Sequence, residues 1–280
     1  MIFTNMNKPV YKLLDWIDTN KLNWQKLSSN PYAIELLKAN IDKINWDLFS
    51  ENPNAIELLK NNKHKIDWYH LSLNSNPIEL LKANPDKINW DCLSTNPSAI
   101  ELLKANPDKI NWDCLCRNTS DEAIEFLKAN PDKIRWDYLS KNPNQEAIEL
   151  LKANQDKIYW EFLSENPNAI ELLEENPDKI HWHYLSKNPS AIELLKANLD
   201  YISWFSLSAN PNAIELLEEN QDKINWYWFS LNPSIFTLDY TQMRINFQDL
   251  EEEIIKEVMK PIRIFRNLEL YGYDIDDMFD

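Results

Sequence analysis

The chain has 280 residues, a formal net charge of −16 and a single glycine, Gly272, against fifteen prolines. Phosphate binding needs clustered Lys and Arg, so this charge argues against nucleic acid and favours a basic partner if there is one. Scarce glycine argues against tight β-hairpins, whose turns call for positive φ, whereas abundant proline suits short helices punctuated by Asn-Pro.

Residues 1–19 read as an atypical opening unit, with Pro9 to Ile17 as a capping helix. Terminal units of a solenoid are expected to differ because one side faces water. From Asn20 to Pro233 one sentence of sequence recurs, most cleanly at Pro97–Asn118. Ten tryptophans mark it, Trp24, Trp46, Trp68, Trp90, Trp112, Trp136, Trp160, Trp182, Trp204 and Trp226, at spacings of 22 or 24 residues. A fixed period of this size means a repeat architecture.

Each unit predicts two short helices. Asparagine stands six residues after every marker tryptophan, and proline follows it in eight of the ten units. Asn is a good N-cap, and Pro fits the first helical position. The Ala-Ile-Glu-Leu-Leu-Lys body is made of helix formers, and Ala33, Ile34, Leu36 and Leu37 fall on one apolar arc. Asn40 and its counterparts suggest a left-handed closing residue, with Pro often following as a stop. In the connector Asp-Lys-Ile the isoleucine is expected to point inward. A second helix then starts near the tryptophan. Leu or Phe stands three residues after every marker, and Ser four after in nine units, with Cys116 in the tenth. These share the tryptophan's face; the residues one, two and five after it lie on the other.

Such helix pairs cannot bury their apolar faces alone, so neighbours must stack. The fold expected is an all-α solenoid of about ten two-helix repeats. With axes roughly 8–10 Å apart it would run as a rod or superhelix some 80–100 Å long. A leucine-rich-repeat horseshoe matches the period, but Asp113 falls where an inward leucine belongs. Two units carry two extra residues each, at Asn118–Glu122 and Pro143–Glu146, both before the first helix.

After Pro233 the repeat stops, and 234–280 reads as a C-terminal cap. Met243, Phe247, Leu250, Ile254 and Val258 make a helical stripe. Pro261 opens a second helix from Ile262 to about Tyr271, and an acidic tail follows from Asp274 to Asp280.

The repeat Asn-Pro-x-Ala-Ile-Glu-Leu-Leu-Lys-x-Asn-Pro-Asp-Lys-Ile-x-Trp-x-x-Leu-Ser, with closing motifs Lys260-Pro-Ile-Arg263 and Gly272-Tyr-Asp-Ile-Asp-Asp277, resembles uncharacterised tandem-repeat proteins of mimivirus-like giant DNA viruses. Lys260 stands where a histidine often stands in that family. The resemblance covers nearly the whole chain and implies a viral origin and a helical repeat fold. It implies no activity and transfers no functional residue.

No unrepeated constellation of groups stands out as catalytic, so a non-enzymatic protein is expected, with no cofactor or metal. His181 and His183 flank Trp182 without a nearby Cys and read as solvated. Cys114-x-Cys116 has neither redox nor zinc spacing, and the three cysteines read as reduced thiols. The opening residues lack a signal pattern and no apolar run approaches ~20 residues. The expectation is a soluble chain without a membrane partner, in the host cytoplasm, viral factory or virion.

Two surfaces are candidates for a protein or peptide partner. The outward positions of the second helices vary freely: Tyr138, Phe162, Tyr184, His183 and Phe205 are the candidate contacts. Tyr227 and Trp228 are expected to lie under the C-terminal hairpin. Along the first helices a Glu column pairs with Lys three residues on, but Glu171-Leu-Leu-Glu174-Glu175 and Glu215-Leu-Leu-Glu218-Glu219 replace the lysine and make an acidic patch. A peptide-binding scaffold leads; a self-assembling virion rod and an adaptor recruiting host machinery through its C-terminal hairpin are the alternatives.

Overall fold

The computed structural model describes residues 9–258. Leu13–Phe236 forms one compact unit, and the flanking segments form a second. The repeats make up the first unit, and almost all of it is short helix.

Each Trp helix is four to six residues long, from Trp46–Glu51 to Trp226–Phe229. In seven of ten the residue before the tryptophan caps it. The Asn45 side chain accepts the Leu48 N–H at 2.9 Å, and Asp67 and Asn225 do the same for His70 and Trp228. This supplies one of the donors that a helix start leaves unpaired. The chain then turns at Asn-Pro, where the Asn Oδ1 accepts from the residue two on (Asn54 N–H to Asn52, 2.9 Å). In four units a single 3-10 turn leads into the following helix, as Pro97–Ala99 leads into Ile100–Lys104. The two longer units use their extra residues to lengthen this helix, giving Asp121–Ala129 and Gln145–Lys152, capped by Ser120 and Asn144.

The asparagine after each of these helices was expected to be left-handed. It is not: Asn40 has φ −137°. Its side chain instead donates to the Leu36 carbonyl at 2.9 Å, and Asn62, Asn106 and Asn220 repeat the contact. Asparagine is used here as a donor that closes the open carbonyl end, a job glycine lacks the side chain to do.

The core runs between the two helical layers. Leu27, Ala33, Leu37 and Phe49 are wholly buried and the connector Ile44 nearly so, a pattern that recurs along the unit. Each buried leucine contributes about 1.5–3 kcal/mol relative to exposure. The tryptophans are only half-buried. At five of them the connector lysine of the next unit lies over the ring, as with Lys43 on Trp24 at 4.3 Å and Lys65 on Trp46 at 4.2 Å. At Trp182 a tyrosine, Tyr201, stands in the lysine's place and stacks at 4.9 Å.

Buried polar groups lock the units together. Asn52 Nδ2 donates to the carbonyls of Ser28 and Asn30, at 3.1 and 2.7 Å, in the unit before it. Ser50 Oγ donates to Trp46 O and accepts the Asp67 N–H of the next unit. At Cys116 the thiol takes the serine's place and accepts the Arg135 N–H at 3.3 Å. A buried Asn with all its groups paired fixes the stacking register, because a slip would leave amides and carbonyls unpaired away from water.

The same contacts join the last unit to the first. Asn30 Nδ2 donates to Ser230 O (3.2 Å) and Asn232 O (3.0 Å), and the Asn23 N–H donates to Ser230 Oγ at 2.8 Å. Lys21 lies over Trp226 at 5.1 Å, as Lys43, Lys65, Lys87, Lys157 and Lys223 do over the tryptophans of the units before them. The solenoid therefore closes on itself, and the open rod expected from the period is corrected. No repeat faces water at an end, so the physical need for the N-terminal cap is gone. The stretch expected as a capping helix is the strand Tyr11–Leu13 instead, paired with Phe236–Leu238 in a two-stranded sheet. Trp16, within the expected helix, packs on Phe229 at 5.7 Å.

After the second strand comes the helix Tyr240–Val258. Of its expected apolar stripe, Met243 is half-buried, but Phe247 is 67% exposed. The expected helix from Ile262 to Tyr271 and the acidic tail lie outside the described residues. No described helix is long and apolar enough to cross a membrane.

Candidate functional site

In a closed ring of two helical layers, the layer whose neighbours crowd together is the inner one. From the Trp24 helix to the Trp112 helix, and from the Trp136 helix to the Trp182 helix, successive Trp helices pack directly on each other, while successive Ile-Glu-Leu-Leu helices meet far less. The Trp helices therefore form the inner layer. Their variable positions, turned from the core, make the inner face, and the Glu column lies on the outside.

The inner face is a continuous row of cross-unit contacts. Arg117 stacks on Tyr138 at 3.9 Å, with Arg135 on the same ring at 5.1 Å. Phe162 meets Tyr184 edge-on at 5.8 Å, and Lys141 lies over Phe162 at 4.8 Å. His183 stacks on Phe205 (6.4 Å), Phe205 meets Trp228 (5.8 Å), and Lys26 of the first unit covers Trp228 (5.1 Å) and Tyr227 (4.9 Å). His183 Nδ1 is 3.1 Å from Ser203 Oγ. The row thus runs through the closure.

Of the candidate contacts, Tyr138, Phe162 and Tyr184 are half-buried, held between neighbours and stacked cations. His183 is exposed, and Phe205 is 48% exposed. Tyr227, expected under cover, is 43% exposed, and Trp228 is half-buried. Two aromatics that the pattern did not single out, Tyr69 and Tyr159, are among the most exposed, at 54% and 50%. The signal that finds Tyr159 is a broken rule. Its position belongs to the capping Asn or Asp, and Arg135, Tyr159 and His181 give no side-chain cap. Losing such a cap costs about 1 kcal/mol. These three sit in consecutive units beside the aromatic row, and Tyr159 stacks on Phe162 at 6.3 Å. Tyr159 also lines a shallow hollow with Trp136, Asp156, Lys157 and Ile158.

Glu171, Glu174, Glu175, Glu215, Glu218 and Glu219 are all exposed on the outer layer, so the structure does not bring them together with the aromatics. Elsewhere in the column the glutamate pairs with lysine three residues on, as Glu35–Lys38 at 2.7 Å and Glu101–Lys104 at 2.9 Å. These exposed pairs contribute a few tenths of a kcal/mol.

The three thiols are free, Cys92 and Cys116 buried and Cys114 half-buried. Burial pushes all three up in pKa, opposed at Cys116 by the Arg135 N–H and at Cys92 by a hydrogen bond with Tyr69. Protonated, such thiols are poor nucleophiles and poor metal ligands. No group of three or more His, Cys, Asp or Glu placed to hold a metal occurs among the described residues.

No family model, curated protein or solved structure matches this chain.

Proposed function

We propose that the ring is a non-enzymatic binding module that holds a protein or peptide on the inner face of its Trp helices. The observation that carries this is the run Arg135, Tyr159 and His181, where capping residues give way to an exposed cation, an exposed aromatic and an exposed imidazole. Departures from a local stability rule are expected at functional positions. Exposed aromatics on a diversified solenoid face are typical anchors. The motif resemblance supports a viral setting, with the host cytoplasm or viral factory as its place of action.

The test is capture of partners from infected cells by the intact protein and by a Tyr159→Ala, Phe205→Ala double variant. Both side chains are about half exposed, so the melt should stay within a few degrees of the parent. Loss of the captured partner with the melt retained supports the inner face. Unchanged capture would sink this reading.

A second reading treats the C-terminal segment as a recruitment module. It is favoured by the helix Tyr240–Val258, where Tyr240, Phe247 and Ile255 are 68%, 67% and 52% exposed. Removing 240–280 would then abolish recruitment while the ring stays folded; aggregation instead would make the segment a cover. The rod reading needs free repeat ends, and the Asn30–Asn232 contact occupies them.

A further inference from the structure

The inner face differs in character from one side of the ring to the other. In a ring of ten, Trp helices five places apart stand opposite each other. Asp91, beside the fourth marker tryptophan, therefore faces Phe205 beside the ninth, and Asp113 beside the fifth faces Tyr227 beside the tenth. All four side chains are exposed. Asp47 and Glu51 add acidic charge from the second unit, with Tyr69 of the third between them and Asp91, and Trp228 extends the aromatic side.

The cations nearby are already engaged. Arg135 bridges Asp113 and Asp137 at 3.0 and 2.9 Å, Arg117 lies on Tyr138, and Lys141 pairs with Glu165 at 3.3 Å. Lys26 lies on Tyr227 and Trp228. No ion pair joins Asp47, Glu51 or Asp91 to a cation among the described residues; Asp91 accepts only from the amide of Asn111, at 2.8 Å. Acidic charge on one wall thus lacks a counterion, while exposed rings on the facing wall lack an apolar cover.

With inner axes roughly 8–10 Å apart, ten helices set facing walls roughly 15–20 Å from each other once helix thickness is deducted. One α-helix, about 10–12 Å across with its side chains, fits within that distance with room for long side chains to reach the walls. An extended peptide can also carry opposite faces by alternating its side chains, but it is thinner and rises about 3.3 Å per residue against about 1.5 Å in a helix, so it brings fewer side chains to the two walls.

We propose that the occupant of the ring is an amphipathic α-helix of a partner protein, its Lys/Arg face against Asp47, Glu51 and Asp91 and its apolar face against Phe205, Tyr227 and Trp228. This rests on the inner face being the binding surface, and it adds the chemistry and shape of what binds. Aromatic anchors supply most of the affinity, and the acidic wall sets orientation and association rate.

The probes are synthetic 18-residue peptides measured by fluorescence anisotropy against the full chain at physiological salt. One carries Lys on one helical face and Leu on the other; a second scrambles the same residues; a third replaces Lys by Glu. The first is expected to bind about ten-fold or more tightly than the scramble, and the third not at all. An Asp47→Asn, Asp91→Asn variant and a Phe205→Ala, Tyr227→Ala variant should each weaken the first peptide by about ten-fold. Salt should weaken binding to the parent and matter little for the Asn variant. Equal binding of the scrambled peptide, or full binding by both variants, overturns the proposal. If partner capture depends on the inner face but no amphipathic peptide binds, the ring remains a binding surface and this occupant is wrong. Urea midpoints of each variant separate lost binding from lost folding, with Tyr227→Phe as the conservative partner of the Ala change.

Discussion

The side-chain amide of Asn30 donates to the main-chain carbonyl of Asn232 at 3.0 Å, across 202 residues of sequence. The bond is the same one that Asn52 makes to Asn30 and Asn118 makes to Asn96. Ten such bonds make a circuit without a first or last member.

The circuit sets a test by equality. Asn118→Ala takes away the side-chain donor to the buried Ser94 carbonyl and one of two donors to the Asn96 carbonyl, the other being the Ala99 N–H, and should cost about 1–3 kcal/mol. Asn30→Ala strips Ser230 and Asn232 in the same way and should cost as much. In an open solenoid those groups would meet water and the Asn30 variant would be clearly the milder. Urea titration of both variants decides it.

Tyr159→Asn should stabilise the protein. It restores the acceptor that caps the other Trp helices, worth about 0.5–1 kcal/mol, and loses only a half-exposed ring. An unchanged or lower urea midpoint would mean that the Tyr159–Phe162 stack outweighs the cap. On the proposed function the same change should weaken partner capture, so that stability and binding move in opposite directions.

The thiols predict the alkaline limb of stability. Burial raises the folded pKa of Cys92 and Cys116 above that of a free thiol, about 8.5 in an unfolded chain. A raised folded pKa contributes stability that is whole below the unfolded value and is lost as pH rises through the folded one. Melting temperature should therefore fall above about pH 8.5, and Cys116→Ser should flatten part of that fall while keeping the contact to the Arg135 N–H. Aromatic-disulfide labelling at pH 8 should reach Cys114, the least buried of the three, first.

Glu174→Lys tests the outer patch. It gives Glu171 the partner three residues on that Glu101 has in Lys104, and should add only about 0.2–0.5 kcal/mol. Partner capture should be unaffected, since the site lies on the other layer. Lost capture would move the binding surface outward.

The repeat, its two helices, the inward Ile44 and Leu37 and the paired Glu35–Lys38 were legible in the sequence because each follows from neighbours within a turn or two of chain. Helical period, caps and stop signals act locally, and repetition prints the same local answer ten times. The roles of Asn30 and Asn40 were only half legible. Their recurrence was plain, but whether an asparagine turns the backbone, caps a helix or ties two units together depends on which carbonyl lies within reach. Tyr159 went unnoticed because its meaning lies in the cap it displaces. Closure was out of reach altogether. A turn of about 36° per unit closes ten units, and a few degrees either way gives an open superhelix from the same repeat. That angle is set by how Trp, Lys, Ser and Asn of adjoining units settle against each other, small differences that sum over the whole chain before Asn30 meets Asn232. Sequence by itself determined what each unit is; the tertiary packing decided that the units form a ring, and with it which face looks inward.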